Sequence, residues 1–310
     1  MFEKYDRCVD LYLNNMKVNE LSKNSVDSYA RTFRLYREHM ASAGYGEASV
    51  EATVSFKLSR DVKVTTIALY LTHLSLLSEF AVNCGIYSEP FVLPSLMPPK
   101  KKVAAERRKP YEHVLDEADM LALINAPKPR KGHKAVTWER EKAEVTLLVQ
   151  SGLRNSELRA LTPNDLDWEN GTIMARVTKG DKPRVVAFPA AARKAVQEYL
   201  DSGIRPKDVG DDEPLFGTFS EHGWRGFTRE NLSDHVYNYT KKVLGEEKAC
   251  RTHAARHCYA SVLLDHNVPT EYISESMGHS SVATTKLYAV RFRKEAPSVG
   301  IASIFDSVTA

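Results

Sequence analysis

The stretch Ser151-Gly152-Leu153-Arg154-Asn155-Ser156-Glu157-Leu158 sets the frame of the fold. Before it, residues 139–151 carry Val145, Leu148 and Val149 on one helical face, and Gly152 supplies a stop. After it, Asn155 or Ser156 can cap a second helix. Arg154 is thereby held at a sharp helix-to-helix junction, where a guanidinium can be aimed and fixed. A plainer reading makes it a surface arginine beside Glu157 on the same helix turn.

Downstream the period changes from helical to strand-like. Asn170-Gly171 is a strong hairpin signal, followed by a strand over 172–177, a turn at Lys179-Gly180-Asp181-Lys182-Pro183 and a returning strand over 184–188. Helices are expected at 190–201 and 232–244, the second ended by Gly245. Shorter ones are expected at 253–266, 270–277 and 281–289, punctuated by Asn267, Pro269 and Gly278.

Upstream the chain reads as helical throughout. Val26, Tyr29, Phe33 and Tyr36 mark one helix over 25–40, with Ser25 or Asn24 as its cap, before Gly44 and Gly46. Ile67, Leu71, Leu74, Leu77 and Val82 mark another over 64–83, stopped by Gly85. Pro90, Pro94, Pro98, Pro99 and Pro110 then surround Lys100-Lys101-Lys102 and Arg107-Arg108-Lys109, which reads as an extended basic linker. The expected organisation is a helical domain over 1–95, a linker over 96–111 and a mixed α+β domain over 112–310. The fold class is mainly α with a small antiparallel β-sheet in the second domain.

The 310 residues suit two domains, and 43% hydrophobic with 27% charged residues is a globular balance. No run of about eighteen apolar residues appears, and the first residues lack a secretion-signal profile, so a cytoplasmic protein with no membrane partner is expected. Cys8, Cys84, Cys250 and Cys258 show no zinc-like spacing and read as reduced thiols. The net charge of +3 does not by itself suggest nucleic acid, but it is unevenly placed. Residues 99–134 hold ten Lys/Arg against five Asp/Glu, while the chain on either side is nearly neutral.

Four further features carry chemistry. Lys179 sits at a hairpin tip, where an ammonium can reach a groove and protonate a leaving oxygen; most such lysines only aid solubility. His253 and Arg256 are three apart on a helix and share a face, a site for an anion. His253 and His257 have metal-ligand spacing, but Ala254 stands where a metalloprotease helix has its glutamate, and Arg256 would set a cation beside the metal. Finally, Met277-Gly278-His279-Ser280-Ser281-Val282-Ala283-Thr284-Thr285-Lys286-Leu287-Tyr288 ends one helix and opens another, with Tyr288 near its end.

The order Arg154, Lys179, His253 with Arg256, His279, Tyr288 resembles the tyrosine recombinase (phage-integrase-type) family. The boxes Gly-Leu-Arg-x-Ser-Glu-Leu, His-x-x-Arg-His and Gly-His-Ser-Ser-x-x-x-Thr-x-x-Tyr are jointly specific, and the match covers about residues 112–290. Two departures from the common pattern stand out: Ala255 replaces a leucine, and Ala289-Val290 replaces Thr-His after the tyrosine. Neither removes a catalytic group.

The resemblance implies a site-specific DNA recombinase that cleaves and rejoins strands through a 3′-phosphotyrosine, with neither ATP, metal nor cofactor. In that reading Tyr288 is the nucleophile, and Arg154, Arg256 and His279 stabilise the phosphate. His253 accepts the phenolic proton, or the cationic pocket favours the phenolate; Lys179 protonates the leaving 5′-hydroxyl. Lys100, Lys101, Lys102, Arg107, Arg108 and Lys109 bind DNA phosphates within a C-shaped clamp. The implied partners are double-stranded DNA with paired half-sites and a homotetramer assembled on it, with room for accessory DNA-bending proteins. No arm-binding domain is expected before residue 20. A type IB topoisomerase shares the nucleophile but relaxes supercoils, and a non-catalytic DNA-binding protein would be expected to lack at least one of the six groups. In the tail, Ile301, Ile304, Phe305 and Val308 form one helical stripe that Pro297 and Gly300 separate from Tyr288. So short a helix must dock somewhere: on its own core in the plainer reading, or on a neighbouring protomer, which the resemblance favours.

Overall fold

The computed structural model describes residues 2–107, 115–129, 137–176, 183–278 and 301–309. The chain divides into two units, Met1–Lys109 and Pro110–Ala310, each with its own hydrophobic cluster.

The first unit comprises α1 (Glu3–Val18), α2 (Lys23–Ser42), α3 (Val50–Leu58), α4 (Val64–Asn83) and α5 (Lys100–Arg107). Ser22, ahead of the two expected cap residues, caps α2, because its hydroxyl accepts the Ser25 N–H at 3.2 Å. The core is aromatic: Tyr5, Phe33, Tyr36, Phe56 and Phe91 are all buried, and the Tyr5 hydroxyl donates to Phe33 O at 3.0 Å. α4 spans the expected residues and buries Ile67, Leu71, Leu74, Leu77 and Ala81. Ala81 rather than Val82 completes the stripe, as the i, i+3, i+4 rows require. α4 is long and apolar enough to cross a membrane by composition alone, but here its Leu74, Leu77 and Ala81 are packed into the unit's core.

The basic stretch is not extended as expected. Residues 100–107 form α5, whose first turn closes through Lys102 N and Val103 N onto Pro99 O at 2.9 and 3.2 Å. Proline just ahead of a helix loses no hydrogen bond, and Ala104, Ala105 and Glu106 are strong helix formers. Val103 and Ala104 are half-buried while Lys100, Lys101 and Lys102 face solvent, and α5 packs against α4.

The second unit is organised on α7 (Trp138–Ser151), buried along nearly its whole length by α6 (Glu117–Asn125), α9 (Ala190–Asp201), α10 (Arg229–Leu244) and α11 (Thr252–Asp265). A short α8 (Asn155–Ala160) leads to β1 (Leu166–Asp167), β2 (Thr172–Ala175) and β3 (Arg184–Ala187), an antiparallel sheet in the order β1-β2-β3. Gly171 takes φ 63° in the connection after β1. Met174 pairs with Val185 on the exposed face, and Ala175 with Arg184 on the inner one. A second hairpin, β4 (Gly217–Ser220) with β5 (Gly223–Gly226), was not legible as strands. α10 begins at Arg229, ahead of expectation, because Thr228 and Asn231 form a capping box. α12 (Thr270–Ser276) follows α11, and α13 (Ile301–Thr309) closes the unit.

The tail helix corrects another expectation. α13 lies on its own unit: Phe305 is fully buried and stacks on Tyr259, with ring centroids 5.3 Å apart and planes 16° apart. Asp306 Oδ1 accepts the N–H of Ala190 at 2.8 Å, satisfying one of the donors that the start of α9 leaves open. An available aromatic face and an unpaired N–H on the same chain make the local site sufficient.

Candidate active site

Gly152 ends α7 in the left-handed conformation, φ 59°. A Cβ there would lie 2.6 Å from Tyr259 Cδ1, so the turn needs glycine both for its backbone and for the space. That turn brings Arg154 to the start of α8. Its N–H donates to Glu157 Oε2 at 2.7 Å, and its Nη1 to Glu157 Oε1 at 2.6 Å.

Glu157 is no surface partner. Its side chain is 0% exposed, and it gathers cations from three elements. Arg184 on β3 donates Nη2 to Oε2 at 2.7 Å, and Arg256 on α11 places Nη1 3.7 Å from the same oxygen. Burial alone would raise the Glu157 pKa. The charge and hydrogen bond of Arg184, joined by the bonds from Arg154, outweigh burial, and the pKa is lowered.

The same three arginines also converge on the end of α12. Arg184 Nη1 donates to Ser276 O, Arg256 Nη2 to Met277 O and Arg154 Nη2 to Gly278 O. Carbonyls at a helix C-terminus lack intrahelical partners and carry the negative end of its dipole, so cations are their natural complement. Arg256 reaches Gly152 O as well. Gly278, at φ 61°, admits this approach: a Cβ would meet Arg184 Cδ and Nε at 2.9 Å and Arg154 Nη1 at 3.1 Å.

His253 lies one turn before Arg256 on α11 and reaches solvent. Its ring meets the His257 ring edge-on, with centroids 4.2 Å apart. Partial burial, then the charges of Arg256 and Arg229, lower its pKa, so the imidazole is neutral near pH 7 and able to accept a proton. Asn155 Nδ2 reaches Thr252 Oγ1 at 3.2 Å and Arg229 O at 3.4 Å, tying together the first residues of α8, α10 and α11.

Arg154 and Arg256 are thus brought together, with His253 beside them. Lys179, His279 and Tyr288 lie outside the described residues, as do Arg108 and Lys109. Lys100, Lys101, Lys102 and Arg107 belong to the first unit.

Residues 113–295 match the phage integrase family. The chain belongs to the phage integrase family of tyrosine recombinases. This recombinase is 30% identical over 243 residues to tyrosine recombinase XerC of Thermodesulfovibrio yellowstonii, covering 77% of this chain and 75% of that protein. It is 27% identical over 290 residues to tyrosine recombinase XerA of Thermococcus onnurineus, covering 92% and 91%. Its fold is similar to that of the XerH site-specific recombinase in a post-cleavage complex with a palindromic difH substrate. That match has a TM-score of 0.67 at 18% identity and covers 86% of this chain and 76% of the other.

In the recombinase, Glu157, Arg184 and Arg229 are site-region residues that sequence reasoning did not assign. Arg184 carried a usable signal: it shares strand parity with the core residue Val186, and arginine on the inner face of a half-buried strand must have a partner.

Proposed function

We propose that this recombinase cleaves and rejoins DNA at specific sites through a covalent 3′-phosphotyrosine on Tyr288, using neither metal nor ATP. The observation that carries the reading is the convergence of Arg154 and Arg256, from separate helices, on the Met277-Gly278 turn that leads into the His279 to Tyr288 box.

The chemistry follows from charge. Attack on a phosphodiester builds negative charge on its non-bridging oxygens, and each arginine can answer it with paired hydrogen bonds that strengthen as the charge grows. His279 is assigned as a further donor. A tyrosine with pKa near 10 is ionised in only about one molecule per thousand at pH 7, a deficit of roughly 4 kcal/mol. His253, neutral at that pH, takes the phenolic proton as the Tyr288 oxygen bonds to phosphorus. The bond from phosphorus to the 5′ oxygen breaks, and Lys179 supplies the proton to that oxygen. The phosphotyrosine conserves the bond energy, so the reverse attack by a 5′-hydroxyl reseals the strand.

Strand exchange between two duplexes needs four protomers, so a homotetramer on paired half-sites is part of the proposal, as is a cytoplasmic, DNA-associated location. The exposed Lys100, Lys101 and Lys102, with Arg107, Arg108 and Lys109, are assigned to phosphate contacts. Incubation with a nicked half-site that loses its 5′ fragment should accumulate a detergent-resistant protein–DNA adduct in the presence of EDTA and without ATP. Failure to form any adduct under those conditions on a bound site overturns the proposal.

A further inference from the structure

We propose that Arg184 is a positioning residue of the recombinase, acting through the Glu157 carboxylate to hold Arg154 and Arg256 in place for the phosphate. The proposal rests on the cleavage reading above. Arg184 belongs to the inner face of the sheet, where β3 pairs it with Ala175. Its side chain is only 12% exposed, and both terminal nitrogens are already committed, one to Glu157 Oε2 at 2.7 Å and the other to Ser276 O. Unlike Arg154 and Arg256, it lies outside the three sequence boxes, and its route to them runs through Glu157. Arg154, at 24% exposure, is the more open of the cluster, and Arg256 is buried.

Glu157 is the element through which Arg184 acts. Its two oxygens take the Arg154 N–H, the Arg154 Nη1 and the Arg184 Nη2, and lie beside Arg256 Nη1. A fully buried carboxylate is held in one orientation only while its lone pairs are satisfied and its charge is opposed. Removing Arg184 takes away the cation that opposes Glu157 most strongly. The carboxylate can then turn further toward Arg154 and Arg256, drawing their guanidinium groups from the geometry that meets the phosphate. The second bond, to Ser276 O, fixes the sheet to the end of α12, so one side chain joins β3, α8 and the turn at Gly278.

The test uses the full-length chain and single-turnover adduct formation on a nicked half-site at saturating DNA. Arg184→Met should slow cleavage by about 10- to 100-fold, the scale of sub-ångström to 1 Å misplacement of catalytic groups, with affinity for the half-site within about twofold of wild type. Arg184→Lys, which keeps the charge on Glu157, should recover part of the rate. In a Glu157→Gln background the Arg184→Met substitution should cost little further, because its route of action is already lost. Should Arg184→Met fold poorly, the comparison of Arg184→Lys with and without Glu157→Gln reads the same coupling. Independent, multiplicative effects of the two substitutions overturn the proposal, as does a loss confined to DNA affinity, which would make Arg184 a phosphate contact. If wild type itself forms no adduct, it is the cleavage reading that fails.

Discussion

Gly152→Ala is the substitution whose cost the structure defines most closely. Two penalties act at one position. A non-glycine residue at φ 59° costs roughly 1–2 kcal/mol. The new Cβ would also lie 2.6 Å from Tyr259 Cδ1. Tyr259 is fully buried and stacked on Phe305, so it cannot swing aside, and overpacking of this kind costs about 1–3 kcal/mol. The sum is about 2–5 kcal/mol. For a unit of about 200 residues each kcal/mol lowers the melting temperature by about 2–4 °C, so the expected fall is on the order of 4–20 °C. Gly203→Ala is the control in the same unit. It has φ 73° but nothing within 4 Å of an added Cβ, so it should show only the backbone term, a fall of a few degrees. Calorimetry of both full-length variants measures the difference. Equal shifts for the two would mean that Tyr259 does not constrain the turn that aims Arg154. Because Arg256 also donates to Gly152 O, Gly152→Ala should slow cleavage as well.

Three other outcomes follow from the same structure. Phe305→Ala should destabilise the second unit by about 3–5 kcal/mol, the range for a buried aromatic truncated to alanine, and truncation after Gly300 should lower its melting temperature too; an unchanged melting curve would contradict docking on its own unit. Since the folded state lowers the pKa of His253 from 6.5, the unfolded chain takes up that proton first as pH falls. The stabilising term is complete above pH 6.5 and is lost as pH drops toward the folded value, so the stability difference between wild type and His253→Gln should change in that window, and a constant difference would argue against the assignment. Replacing Lys100, Lys101 and Lys102 with alanine should weaken binding to all DNA sequences alike, with the slope of log K against log salt falling by up to about 0.9 per lost contact; an unchanged slope would mean that these exposed lysines are only solvated.

Helices with a clear apolar stripe and a glycine stop were legible, as with α4 before Gly85 and α7 before Gly152, because periodicity and a left-handed terminator act locally. What escaped depended on partners distant in sequence. α5 looked like a charged, proline-bounded linker, yet Pro99 starts it and α4 covers Val103 and Ala104. The Phe305 stripe was visible, but its acceptor, the Tyr259 face, was not. In the site, motif order picked out Arg154, His253 and Arg256. Strand parity marks Arg184 as inward, but the burial of Glu157 and the partners Arg184 meets arise only when β3, α8 and α12 come together.

The cleavage chemistry turns on which residue is the nucleophile. The structure narrows the field: Tyr239 and Tyr259 are fully buried, with hydroxyls donating to Leu123 O at 2.9 Å and Ser276 Oγ at 3.0 Å, and burial first of all raises both pKa values. The direct measurement is mass spectrometry of the trapped adduct after nuclease and trypsin digestion. The expected result is a 3′-nucleotide phosphate on Tyr288, within the peptide Leu287-Tyr288-Ala289-Val290-Arg291, and no adduct from Tyr288→Phe despite normal binding of the half-site. A nucleotide carried by any other residue, or an adduct of wild-type yield in Tyr288→Phe, would contradict it.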